Sequence, residues 1–169
     1  MTVTSPQTTP LPTVPRLPEE LVASATFLLK RLGFAVKERA AGAYEETGLH
    51  PYHHAILIVL DQGSRETQGE IADVLGYDRG QLVGLLDELE ERGLVERRRD
   101  PNDRRRHLVR LTPEGKRMLR RLRALATRIE DEFLAPLNDE ERASLHALLL
   151  RLAEKHEPRC AMTAPPASS

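Results

Sequence analysis

"TQGEIADVLGYDRGQLVGLLDELEERGLVERRRDPNDRRRHLVRLTPEG", Thr67 to Gly115, packs two helix starts, two helix stops and a hairpin into one unbroken run. Thr67, with Glu70 three positions on, is a capping box that opens "QGEIADVL", and Gly76 closes that helix. Asp78 with Gln81 repeats the signature for a helix running to Arg92. There Leu82, Leu85, Leu86 and Leu89 form one apolar stripe at i, i+3, i+4 and i+7. This leaves Arg79, Gly80, Gln81, Val83, Gly84 and Asp87 off the core side, and Gly93 ends the helix. "LVERRR" and "RHLVRLT" then flank the turn "DPND", with Val109 and Leu111 alternating with polar partners, which predicts a two-stranded hairpin. A helix-turn-helix followed at once by a hairpin is a winged helix.

The flanks extend this lobe with helices. Pro18, Glu19 and Glu20 start a helix in which Leu21, Ala25, Leu28, Leu32 and Val36 keep a 3.6 period, with a stop at Gly48. Pro51 suits the first position of the next, whose "AILIVL" is apolar nearly all round and therefore expected at the centre. Thr112, Pro113 and Glu114 open a helix carrying Met118, Leu122, Leu125, Ile129 and Phe133, roughly 30 Å long. Asn138 with Glu141 caps the last, striped by Leu145, Leu148, Leu149 and Leu152. The fold expected is mainly α with a small β hairpin: one winged-helix domain over 17–156, with a lobe at about 50–112 between long helices at 18–47 and 113–156. The terminal helices carry more apolar surface than so small a lobe can cover, so they are expected to join a second copy in a homodimer. Residues 1–16 and 157–169 have no periodicity and are expected as mobile tails.

Composition narrows the function. At 169 residues and 40% hydrophobic, the chain can bury a core. No apolar run is long enough to span a bilayer and the start lacks a signal-like apolar segment, so a cytoplasmic protein without membrane association is expected. Cys160 is the sole cysteine, which excludes an internal disulfide and a cysteine-based metal cluster. No phosphate-cradling glycine loop, G-x-S-x-G or H-E-x-x-H is present, so neither catalysis nor a cofactor is expected. The net charge of -1 hides a segregation: residues 92–123 carry 13 Lys/Arg against 4 Asp/Glu, and the remainder is acidic. Six of those arginines bracket the turn in "RRRDPNDRRR" (Arg97 to Arg106), which points to a polyanion. Double-stranded DNA fits, with a helix in the major groove and an arginine-loaded tip in the adjacent minor groove. The alternative is a winged-helix adaptor whose basic hairpin binds an acidic protein partner.

The run from Thr67 through the "LVERR" strand, the "D-x-R" tip and "V-x-LT-x-x-G" resembles the MarR family of bacterial transcription regulators, closely over residues 64–119. The resemblance implies an obligate dimer, probing a pseudo-palindromic operator as a transcription regulator, typically a repressor released by a small aromatic or phenolic effector. It places Arg105 in the minor groove with Asp103 holding it, and Arg104 on flanking phosphate. Arg79, Gly80, Gln81 and Val83 fall where the family presents side chains to bases, and Thr67 and Gln68 where a helix N-terminus meets phosphate. Three positions depart from the family pattern: Gly80 and Gly84 lack the usual polar side chains, and Glu88 stands where a basic residue is common. With fewer contacts from the helix, the wing must supply more affinity, so strong salt dependence and modest base specificity are expected.

One further cluster is "HPYHHA". His50, His53 and His54 stand at i, i+3 and i+4, a spacing open to a metal, an anionic ligand, pH sensing, or plain packing and capping. No Cys or acidic residue with ligand spacing joins them, so no metal is expected. By resemblance the family's effector cleft lies nearby, which makes Phe34, Tyr44, His50, Tyr52, His53 and His54 candidate pocket residues.

Overall fold

The computed structural model describes residues 14–63, 67–103 and 105–160; Arg104 and most of both expected tails lie outside the described residues. In order the elements are α1 Glu19–Val22, α2 Ala25–Glu45, α3 Pro51–Asp61, α4 Gln68–Leu75, α5 Arg79–Glu91, β1 Val95–Arg99, β2 His107–Leu111, α6 Pro113–Phe133 and α7 Asp139–His156. A single 3-10 turn, Pro158–Cys160, follows.

Two departures from the expected elements have local causes. The first helix is broken in two, because the Ser24 hydroxyl accepts the Phe27 N–H at 3.3 Å and so starts α2 afresh. Beyond α7, where a tail was expected, the Arg159 guanidinium donates to both carboxylate oxygens of Glu157, at 2.7 and 3.1 Å, across the 3-10 turn.

The chain divides into two units within α2, between Lys37 and Glu38. In the first, Leu17, Leu21, Val22, Leu28, Leu29 and Leu32 are all exposed. The second holds the core. Ile56 and Leu57 of α3 are fully buried, and α3 packs on α4, α5, β2 and α6, which makes it the central helix that its apolar run predicts. Leu82, Leu86 and Leu89 of α5 form the buried stripe, facing Ile71, Val95, Val109, Leu119 and Leu122 in the same cluster. By contrast α7 buries no residue, and Leu148, Leu149 and Leu152 stay exposed.

The predicted caps form. Thr67 accepts the Glu70 N–H at 3.3 Å while Glu70 accepts the Thr67 N–H at 3.1 Å. Asp78 Oδ1 accepts the N–H groups of Gly80 and Gln81 at 2.8 and 3.2 Å, and Asn138 exchanges the same reciprocal pair with Glu141. Gly76 and Gly93 take the left-handed conformation, φ +66° and +68°, that closes each helix.

The antiparallel hairpin pairs Val95 with Leu111, Arg97 with Val109 and Arg99 with His107. It is welded to α6 at one point. The Thr112 N–H donates to Leu94 O at 3.1 Å, its hydroxyl donates to Gly93 O at 2.6 Å, and the same oxygen accepts the Gly115 N–H at 3.0 Å. A Cβ on Gly115 would stand 2.0 Å from Leu94 O, so only glycine lets α6 approach the strand this closely.

Candidate nucleic-acid interface

Helix α5 reaches solvent with the side that the leucine stripe leaves free. Arg79, Gly80, Gln81, Val83 and Gly84 are all exposed, because Asp78 caps the helix and Leu82, Leu86 and Leu89 turn the opposite side into the core. Beside it, an isolated bridge between Thr67 and Leu108 ties the start of α4 to β2. This brings three separate predictions into one place. A cleft of about 560 Å³ is lined by the cap residue Thr67, by Gln68, Glu70 and Asp73 of α4, by Arg79 and Val83 of α5, and by Arg105 and Arg106 of the wing, so its three guanidiniums outnumber its two carboxylates. Backbone N–H groups at a helix start and three guanidiniums around one concavity form a site suited to phosphate oxygens. Arg104 lies outside the described residues.

The wing tip is shaped by its two aspartates. Asp100 Oδ1 accepts the Asn102 N–H at 2.8 Å and Asp103 Oδ1 accepts the Arg105 N–H at 3.0 Å, while the Asp100 N–H donates to Arg106 O at 3.0 Å and closes the loop. Asp103 therefore holds Arg105 by its backbone. Its side-chain ion pair is with Arg106, at 3.5 Å, and the Arg105 guanidinium has no carboxylate partner among the described residues.

Charge density alone does not say which arginines face outward. Arg97, counted from sequence among the DNA-directed set, turns inward to α5. Its Nε donates to Glu90 Oε2 at 2.8 Å, its N–H to Glu90 Oε1 at 3.1 Å, and its Nη2 to both Glu90 and Asp87. The guanidinium holds the Glu90 carboxyl below the usual carboxylate range. Arg98 is drawn to Glu96 of its own strand at 3.1 Å. The signal for Arg97 was the pair of acids at Asp87 and Glu90, three apart on the helix that the strand folds back upon.

The histidines do structural work. His50 caps α3, accepting the Tyr52 N–H at 3.4 Å, and its own N–H donates to His53 Nδ1 at 3.0 Å. That acceptor role leaves the His53 proton on Nε2, which lies 3.1 Å from Glu88 Oε2 without the alignment of a hydrogen bond. Glu88, the departure from the family pattern, thus faces α3. His54 Nδ1 and the Tyr44 hydroxyl share a 2.6 Å hydrogen bond, both residues being buried. Burial lowers the pKa of both histidines; for His53 the nearby Glu88 opposes that effect, and for His54 the Arg123 charge adds to it. Burial likewise raises Tyr44. Tyr52 stacks on His50 and meets Tyr77 edge-on, while Phe34 is exposed on α2. A second cleft of about 300 Å³, lined by Ala43, Glu46, Thr47, Arg121, Ala124, Leu125 and Arg128, includes none of the six nominated pocket residues. No three of His, Cys, Asp or Glu come together as metal ligands among the described residues. No described helix is long and apolar enough to cross a membrane.

Comparison with known proteins bears on this geometry. Residues 47–106 match the MarR family description. A putative transcriptional regulatory protein for the hcr operon of Thauera aromatica is 32% identical over 129 residues, 72% of this chain and 78% of that protein. Among solved structures, the transcriptional repressor CouR bound to a 23-mer DNA duplex is 36% identical, with a TM-score of 0.73 over 82% of this chain and 99% of that one. CouR from Rhodococcus jostii RHA1 bound to p-coumaroyl-CoA is 29% identical, with a TM-score of 0.66 over 80% of this chain and 96% of that one.

Proposed function

From the premise that this chain belongs to the MarR family and is a winged-helix, DNA-binding transcription regulator, we propose that it acts as a homodimeric repressor on a pseudo-palindromic operator. Two α5 helices enter successive major grooves, with centres about one DNA turn, roughly 10 bp, apart. The two wings enter the flanking minor grooves through Arg105, while Arg104 and the start of α4 at Thr67 and Gln68 take phosphates. Gln81 and Arg79 address base edges. The observation that carries this reading is the cleft in which the α4 start, α5 and the wing converge, with Arg79, Arg105 and Arg106 on its rim. The exposed leucines of α7 support a second copy as the missing cover.

A small aromatic acid, free or as a thioester, is the effector. CouR's p-coumaroyl-CoA complex and the second cleft, where Arg121 and Arg128 stand beside Ala124 and Leu125, support that class. The carboxylate of the free acid, or the phosphates of its CoA thioester, suits the guanidiniums and an aromatic ring the apolar wall.

Titration with duplex DNA at increasing salt tests the core of the proposal. With ~6 to 10 phosphate contacts, affinity falls by about 10³ to 10⁵ between 50 and 200 mM salt. A nearly salt-independent dissociation constant contradicts it, and no duplex binding at all favours an acidic protein partner. Gel filtration at twice the chain mass is expected; a stable monomer removes the dimer.

A further inference from the structure

Gly84, on the solvent side of the helix-turn-helix, has no packing reason to be glycine. A Cβ added at Gly84 meets nothing within 4 Å, whereas one at Gly80 would stand a tight 3.0 Å from the Asp78 Oδ1 that caps the helix; neither residue has a positive φ. Inside a helix, glycine destabilises relative to alanine because it has more backbone freedom to lose on folding. Helix α5 accepts that loss twice, one turn apart, on its exposed side. Val83 lies between them, flanked by glycine at i−3 and i+1, and is 41% exposed although every leucine of α5 is turned inward or half-buried. A helix stripped of side chains on one strip can bring its backbone close to a neighbouring surface. The side chain left on that strip is a branched hydrocarbon with no hydrogen-bonding group.

The edges of base pairs in the major groove are donors and acceptors with one exception, the C5 methyl of thymine. Resting on the DNA-binding reading above, we propose that Val83, standing in the gap left by Gly80 and Gly84, reads a pyrimidine C5 methyl group. Each half-site therefore carries a thymine under the second turn of α5, and 5-methylcytosine supplies the same methyl group to Val83. Base preference at that step comes from apolar contact at close approach, with Gln81 one position earlier supplying the polar reading.

The test uses the full-length protein and a duplex selected by it from a random-core pool, remade with deoxyuridine for each thymine in turn. Deoxyuridine keeps every pairing group and removes only the methyl. One position per half-site is expected to weaken binding about 3- to 5-fold, and both half-sites together about tenfold or more. Val83→Ala should bind the thymine and uridine duplexes alike. Gly84→Ala should raise the melting temperature of the protein while weakening its hold on DNA, a combination that a purely structural role does not produce. Equal affinity for every uridine duplex overturns the proposal. So does a uridine penalty that survives Val83→Ala, or a Gly84→Ala variant that gains stability at no loss of affinity. In each of those results salt-sensitive duplex binding persists and the regulator reading stands; absence of any salt-sensitive duplex binding removes both.

Discussion

At the base of the wing Arg97 is fastened to Asp87 and Glu90 of α5, whereas at its tip Arg105 is positioned by its backbone and its guanidinium has no carboxylate partner among the described residues. The base is also where Thr112 and Gly115 weld the hairpin to α6. The same residue type thus sets the angle between wing and recognition helix at one end and offers free charge at the other. Losses at the base should register in stability, and losses at the tip in binding.

The sharpest break comes from Gly115→Ala. A Cβ 2.0 Å from Leu94 O forces α6 off the strand, so urea denaturation should show a loss of about 3 kcal/mol or more. Gly69→Ala is the control: an added Cβ there meets nothing within 4 Å, and stability should hold or rise by up to about 1 kcal/mol. Arg97→Ala comes next. Its side chain is 21% exposed, against 48% for Asp87 and 40% for Glu90, so screening trims the network to about 1 to 2 kcal/mol. The slope of log affinity against log salt should not change, and a slope reduced by one would place Arg97 on phosphate after all. Arg105→Ala should do the reverse, leaving stability within about 0.5 kcal/mol while lowering that slope by about one. The smallest effect is acid sensitivity. His53 and His54 have folded pKa values below their unfolded value of about 6.5, so the unfolded chain takes up protons first as pH falls. Stability is therefore full above about pH 6.5 and declines below it; a melting temperature that rises on acidification would reverse the assignment.

Sequence reading succeeded where the determinants are local. Thr67 with Glu70, Asp78, Gly76, Gly93 and Asn138 with Glu141 each act within four residues of themselves, so spacing alone locates them. The leucine stripe of α5 was legible for the same reason. Ser24 escaped notice because apolar periodicity runs straight across the break and a hydroxyl in mid-pattern carries no signal of its own. His50 and His53 form a reciprocal capping box from a residue pair outside the usual Ser/Thr and Glu/Gln vocabulary. Arg97 was counted only with the basic hairpin as a whole, and its inward turn went unread because its partners lie seven and ten residues back, in range only after the strand folds against the helix. The bareness of Gly80 and Gly84 was visible, but that Gly84 is not needed for packing, while Gly80 leaves room for the Asp78 cap, became clear only with their surroundings in view.

The Thr112 junction has a kinetic corollary. Because one side chain closes the hairpin at Gly93 and also holds the first turn of α6 through the Gly115 amide, the strand pair and that turn cannot open separately. Amide protons of Thr112, Gly115 and Lys116 should exchange with deuterium at a common rate, as one foldon. Any event that loosens the start of α6 is then transmitted as fraying of the hairpin, with no hinge in between.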